Sequence, residues 1–217
     1  VERVLGMVDS VLLLVDAVEG VMPQTRFVLR KALDHGLHPI LVVNKVDRAE
    51  QRVEAVVDEV FDLLVELGGN DKQLDFPVVY ASAKDGSATR EWGTPMQDLR
   101  PVLDTIIEHA PAPEVDEEGP LLFQAVTLSY DSFVGRLVIG RVERGTLTRE
   151  GRYAVTHPDR DKRTVVPVKN LFRYEGLERV PVEEVAAGDI AVVTGIDELG
   201  IGDPLCDPEH PDPLAAI

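Results

Sequence analysis

Cysteine is almost missing from this chain. Cys206 is the sole one in 217 residues, so an internal disulfide is excluded and a reducing, cytoplasmic setting is expected. Long apolar runs are missing too. The longest reaches only from Val11 to Val15, far short of the ~20 residues a membrane helix needs. Val1-Glu2-Arg3 opens without a basic stretch and long apolar core, so no secretory leader is expected. His35, His38, His109, His157 and His210 show no metal-ligand spacing, and no cysteine cluster joins them. Internal repeats of solenoid length and low-complexity tracts are absent. Positive charge is scarce: 22 Lys/Arg stand against 39 Asp/Glu, a formal charge of −17. That balance argues against simple adhesion to nucleic acid or to an anionic membrane.

The length allows two ordinary domains, and 44% hydrophobic residues exclude disorder as the default. The first half alternates strand and helix. Val11 to Val15 suits a parallel strand covered on both faces. After Pro23, the residues Thr25, Val28, Leu29, Ala32 and Leu33 share one helical face, with Pro23 at the first turn and Gly36 just past the end. A buried strand follows at 39–43. The next helix carries Val53, Val56, Val57, Val60, Phe61, Leu64 and Leu67, and Gly68-Gly69 stops it. Another strand spans 76–80. Thr94-Pro95-Met96-Gln97 combines an N-cap, Pro at N1 and a capping-box Gln, which predicts a last helix with Met96, Leu99, Val102, Leu103, Ile106 and Ile107 inward. Repeated β-α-β implies a parallel sheet with ligands at the carboxyl ends of the strands.

Residues 111–119, rich in Pro and then acidic, read as a solvated linker between domains at 1–110 and 120–217. Beyond them the pattern is β. Strands are expected at Leu121–Leu128, Gly135–Arg144, Gly151–Thr156, Val165–Phe172 and Ile190–Thr194, separated by glycines and suggesting a small closed barrel with a C-terminal tail. From Arg136 to Arg173, ten Lys/Arg meet four acids, a net of +6 inside an acidic protein. This is either a solvated strand face or a phosphate-contacting surface.

The chemistry-bearing residues leave the strands. Asn44-Lys45-Val46-Asp47 follows the apolar run 39–43. The Asp47 carboxylate can accept the N1 and N2 hydrogens of guanine together; adenine has no hydrogen on N1 and is rejected. The Lys45 stem can lie along the base plane. The competing reading is an Asx turn in which Asn44 and Asp47 bond their own backbone. Ser82-Ala83-Lys84 follows the next strand. There Ser82 would brace the loop and the Ala83 amide would meet guanine O6. Trp92 reads as packing over the last helix, and Cys206 as a small apolar filler.

In this order the motifs resemble the translational GTPase family. Val1 to Asp9 resembles the helix after that family's magnesium-site Asp-x-x-Gly box. Asp16 to Thr25 resembles the following strand-turn-helix. Tyr130 to Arg136, Gly188 to Ala191 and Leu199 to Asp207 are similar to the barrel of the TypA/BipA subgroup. The resemblance implies a partial P-loop GTPase domain with flanking helices, followed by an all-β barrel. It implies Asn44, Lys45, Asp47, Ser82, Ala83 and Lys84 as the guanine contacts of GTP or GDP, and ribosome and ribosomal RNA as partners. The phosphate loop Gly-x-x-x-x-Gly-Lys-[Ser/Thr] and the threonine-bearing switch segment are not in this sequence, and no Asp-x-x-Gly box stands before Val1, where the family places it. No catalytic or metal residue is therefore assigned here, and Mg²⁺ and GTP hydrolysis are expected only of a longer parent protein. Weak or absent nucleotide binding and self-association are expected of this stretch alone. The alternative is a non-catalytic RNA- or ribosome-binding module that has lost its phosphate site.

Overall fold

The structure, a computed structural model, describes residues 2–157 and 160–211. Val1, Asp159 and the expected tail at 212–217 lie outside the described residues. The chain divides into two compact units, Val1–Ala112 and Pro113–Ile217.

The first unit is a four-stranded sheet with helices. In chain order it contains α1 (Glu2–Leu5), β1 (Ser10–Asp16), α2 (Pro23–Asp34), β2 (His38–Asn44), α3 (Val53–Glu66), α4 (Asp71–Leu74), β3 (Val78–Ser82), β4 (Ser87–Thr89) and α5 (Arg100–His109). Strands β1, β2 and β3 pair in parallel, and β4 returns antiparallel beside β3. Strand β2 is buried throughout its middle because its alternate residues feed two cores. Leu41 and Val43 join Leu13, Val15, Leu29, Val56, Val60 and Leu64 on one side. Val42 joins Val79, Ala81 and Ala88 on the other, with Val102 of α5 against them. Each fully buried Leu among these stabilises the fold by ~1.5–3 kcal/mol. Helix α2 starts with Pro in its first turn. It ends with Gly36 at φ 73°, where the Gly36 and Leu37 amides close onto Leu33 and Ala32 carbonyls.

Three expectations are corrected in this unit. Strand β1 is covered on one face only: Leu12 is 42% and Leu14 60% exposed, because β1 lies at the sheet edge among the described residues. Helix α3 buries Leu63 while Phe61 faces outward. The last helix begins at Arg100, not at Thr94. The Thr94 hydroxyl is drawn to Thr89 Oγ1 (2.6 Å) and the Glu91 carbonyl (2.7 Å), so it caps no helix. Helix α5 consequently leaves Leu103 and Ile107 exposed and buries Thr105 instead.

The second unit is antiparallel: β5 (Leu122–Asp131), β6 (Gly135–Arg144), β7 (Thr146–Thr148), β8 (Arg152–His157), β9 (Arg160–Pro167), β10 (Asn170–Glu175), β11 (Glu178–Pro181), β12 (Glu184–Ala186), β13 (Ile190–Thr194) and β14 (Pro204–Cys206). Eight of them form one sheet in the order β11-β10-β13-β6-β5-β14-β8-β9, and β12 pairs β7. Phe123, Val142, Leu147, Val155, Val166, Leu171, Val193 and Leu205 meet in one core. Residues from both ends of the strand order share that core, so the sheet curls into a barrel. The single strand expected at 165–172 is two, because the chain crosses from β9 to β10 through Val168 and Lys169. Their amides donate to Gly151 and Thr194 carbonyls. The acidic segment is not a free joint: Val115 packs on the barrel core and the Asp116 carbonyl accepts the Gly145 amide at 2.8 Å. Cys206 is fully buried with Leu122 and Ala154, a small apolar filler.

Candidate functional site

Asp16, Asn44 and Ala81 stand level in the register of β1, β2 and β3. The segments that follow them therefore emerge together at the carboxyl-end edge of the sheet, the usual ligand edge of such folds. After Asn44 the chain turns sharply. Lys45 takes φ 66°, a left-handed conformation uncommon outside glycine. Val46 drops back into the core at 7% exposure and donates its amide to the Ala81 carbonyl at 3.3 Å. Asp47 is left on the surface, its carboxylate without a protein partner among the described residues.

Asn44 does not bond its own turn. Its Oδ1 accepts the Ala83 backbone N–H at 3.0 Å, across a sequence separation of 39. The local Asx-turn reading therefore fails at Asn44. The two motif loops are tied together, and the Ala83 amide expected at guanine O6 is engaged by Asn44 here. Ser82 ends β3 and is fully buried. Its Oγ donates to Asp85 Oδ2 at 2.8 Å and accepts the Asp85 amide at 3.2 Å, which closes the turn. Ala83 and Lys84 are exposed on that turn. The structure thus brings four of the six expected residues, Asn44, Lys45, Ser82 and Ala83, to one edge through named bonds, with Asp47 and Lys84 on the same two turns.

The sequence reading gave no role to Asp16, Arg52 or Glu59. The Lys45 ammonium donates to Asp16 Oδ2 at 2.5 Å. Asp16 Oδ1 accepts the Val18 amide at 2.8 Å and the Glu19 amide at 3.3 Å. The bond from Lys45 above all, with those amides, holds the Asp16 carboxyl at about 2 against the opposing pull of burial. Arg52 braces the next stretch: Nε donates to the Val18 carbonyl at 2.8 Å and Nη2 to the Glu19 carbonyl at 3.0 Å. Its ion pair with Glu59 holds that carboxyl below the usual range, and Glu59 also accepts the Val21 amide. A side chain at Gly20 would overlap both Arg52 and Glu59. A spacing of seven residues between Arg52 and Glu59 is a faint signal of a shared helix flank. Their target, a loop 30-odd residues earlier, is visible only in three dimensions.

Trp92 does not lie over the last helix; its ring tilts against Tyr80 of β3 at 5.5 Å between centroids. Among the described residues no group of three or more His, Cys, Asp or Glu could hold a metal ion. No described helix is long and apolar enough to cross a membrane.

The basic stretch from Arg136 to Arg173 is largely occupied by structure. Arg136 donates to the carbonyls of Asp197 and Leu199. Arg144 donates to the Pro120 carbonyl at 2.9 Å. Arg149 pairs with Glu183 at 3.0 Å and Arg173 with Glu175 at 2.7 Å. Arg141 is buried beside Glu143. Arg152, Arg163 and Lys169 are exposed. The side chains of Arg160 and Lys162 lie outside those described.

A parallel α/β unit with two motif loops at its carboxyl edge, followed by an antiparallel barrel, is the plan of a translation-factor GTPase. The family description "Elongation factor Tu GTP binding domain" matches residues 1–112, and "Elongation factor Tu domain 2" matches residues 135–206. The chain belongs to the translational GTPase family, in its TypA/BipA subgroup. The large ribosomal subunit assembly factor BipA of Bacillus subtilis (strain 168) is 46% identical over 217 residues, which is 100% of this chain and 35% of that protein. Its counterpart in Escherichia coli (strain K12) is 46% identical over 100% of this chain and 36% of its own length. That of Buchnera aphidicola is 43% identical over the same shares. The chain spans about a third of the length of these curated relatives.

Proposed function

We propose that this chain supplies the guanine-recognition half of a GTP-binding domain, residues 1–110, joined through 111–119 to a second domain at 120–217. The observation that carries the reading is the Asn44–Ala83 bond, which makes one surface of two motifs 39 residues apart. Asp47, free of protein partners, accepts N1–H and N2–H of guanine. Lys45 lays its stem along the base, and Asn44 turns toward the N7 edge. On binding, the Ala83 amide is exchanged from Asn44 to O6. Ser82 and Lys84 hold the loop geometry. The residues present fit the base of GTP or GDP. The phosphates and Mg²⁺ are held by parts of the family's domain that this sequence does not contain.

The whole protein hydrolyses GTP to GDP and phosphate in the cytoplasm. It works on the ribosome and its RNA in assembly or translational control, without membrane or DNA partners. The relatives' name, large ribosomal subunit assembly factor, supports that assignment. The test is Asp47→Asn in the whole protein containing this sequence. Loss of a bidentate charged acceptor should weaken GDP binding by ~100-fold and improve binding of xanthosine diphosphate, whose O2 can accept from the amide. Unchanged GDP affinity would refute the guanine assignment.

A further inference from the structure

Lys45 occupies a backbone conformation that a side chain disfavours, φ 66°, and its ammonium is anchored on a neighbouring strand. We propose that Asp16 is a positioning residue for guanine recognition: its carboxylate, fixed at the end of β1, holds the Lys45 ammonium so that the alkyl stem is presented to the base. The proposal rests on the guanine reading above and names the residue that sets up its lysine.

Asp16 is built for this rather than met by chance. One carboxylate oxygen is committed to the Val18 and Glu19 amides, and the other receives Lys45 at 2.5 Å. The Asp16 side chain is 12% exposed, whereas Lys45 is 45% exposed. The acid is thus the fixed partner and the lysine the part that reaches the surface. Sheet register, not loop flexibility, sets the separation. Asp16 stands opposite Asn44 in the β1–β2 ladder, and the next amide, Ala17, donates to the Asn44 carbonyl at 2.8 Å. The Arg52 side chain then grips the carbonyls of Val18 and Glu19, so the Asp16 turn cannot drift away from the site. A lysine ammonium is a strongly hydrated point charge on a flexible stem. Without a fixed counter-charge it would sample many rotamers, and that freedom would be lost on binding the base.

The rival role for Asp16 is to shape its own turn. Asp16→Asn separates the two, because the amide oxygen still accepts from Val18 and Glu19 while the charge facing Lys45 is gone. The experiment measures fluorescent GDP binding to the whole protein containing this sequence. Asp16→Asn, Lys45→Met, the double variant and Asp47→Asn are compared with the parent. Asp16→Asn should weaken GDP and a GTP analogue equally, by ~3- to 10-fold for a half-exposed charged pair, with guanine-over-xanthine preference unchanged. In the Lys45→Met background the same change should have no further effect, whereas a purely turn-shaping role, which Asn preserves, would give no loss in either background. If Asp47→Asn weakens GDP binding but Asp16→Asn does not, or if the two effects multiply in the double variant, Asp16 is not the positioning residue and the guanine site stands. If Asp47→Asn is also without effect, the guanine site and this proposal fall together. A second measurement needs no nucleotide. Acetylation of Lys45, followed by mass spectrometry of the 217-residue chain, should run several-fold faster in Asp16→Asn; an unchanged rate overturns the anchoring.

Discussion

Replacing Asn44 by Ala removes the bond that unites the two loops while leaving both strands in place. The lost contact is one neutral hydrogen bond of 3.0 Å between the half-buried Asn44 side chain and the amide of exposed Ala83. Water can replace the acceptor at an exposed amide, so the net cost is about 1 kcal/mol and not the several kcal/mol of a buried orphan. At 25 °C that energy corresponds to a ~5-fold fall in exchange protection at the Ala83 amide. It lowers the melting temperature of a unit this size by only ~4 °C. Nucleotide affinity in the whole protein should fall by ~10-fold, because Ala at this position also loses the contact proposed between Asn44 and the N7 edge of guanine. Hydrogen exchange followed by NMR in the labelled chain reads the effect directly. The Asp85 amide is an internal reference: it bonds Ser82 Oγ within the second loop at 3.2 Å and should not change. If Ala83 exchanges at the parent rate in Asn44→Ala, the loops are not joined by this bond, and the observation carrying the guanine reading is lost.

The Lys45–Asp16 pair gives a pH dependence of stated sign. The folded carboxyl titrates at about 2, below its ordinary 3.8, so its stabilisation is present above about pH 4 and disappears as pH falls toward 2. Allowing for solvent screening at the 45%-exposed lysine, it amounts to ~1 kcal/mol. The stability gap between the parent and Asp16→Asn in urea should shrink by about two-thirds of that amount from pH 7 to pH 2.5, and a constant gap would contradict the assignment. Gly140→Ala should unfold the barrel or cost it more than ~3 kcal/mol, since a Cβ there overlaps the Gln124 carbonyl and presses on the Phe123 ring; a soluble variant melting within a few degrees of the parent would show that β5 and β6 can part. Among the described residues, strand β1 presents an unpaired edge with Leu12 and Leu14 exposed. The 217-residue chain should therefore self-associate. Leu14→Lys should shift it toward monomer in sedimentation velocity, and a parent chain that is monomeric throughout would refute this.

Much of the fold was legible because its cores are regular. The run 39–43 announced β2, since a strand covered on both faces has no reason to alternate. The spacing of Val53, Val56, Val60 and Leu64 placed α3, though the choice between Phe61 and Leu63 depends on how far the helix is rotated, and periodicity fixes that only loosely. The missed elements are of a different kind. Strands β4, β7, β12 and β14 have three residues each and β11 has four. They are too short for any period to show; β7, β12 and β14 are held by pairing to distant partners, and β4 and β11 by the strands just before them. The false helix start at Thr94 followed sound capping logic, but a local turn competed, in which the Thr89 hydroxyl and the Glu91 carbonyl engage the Thr94 hydroxyl.

The site divides along the same line. The residues proposed to touch the base can be nominated from sequence because ligand chemistry restricts their type: a carboxylate for N1 and N2, a lysine stem, a small residue lending its amide. Residues that support them are restricted by geometry alone. Asp16 ends an apolar strand as many acids do, and nothing in its neighbours marks it. It acquires a role because parallel pairing sets it opposite Asn44, one residue before Lys45. Arg52 gains its role in the same way, from the start of a helix whose axis brings it under the Val18–Glu19 carbonyls. A search for support residues in sequence alone would have to know the register first. Register here was fixed by the buried runs of β1 and β2, whose Leu13, Val15, Leu41 and Val43 share one core. A one-residue slip of β1 against β2 would turn Leu13 and Val15 toward the opposite face and carry Asp16 away from Lys45. The hydrophobic pattern that builds the sheet therefore also sets the distance between the lysine and its counter-charge.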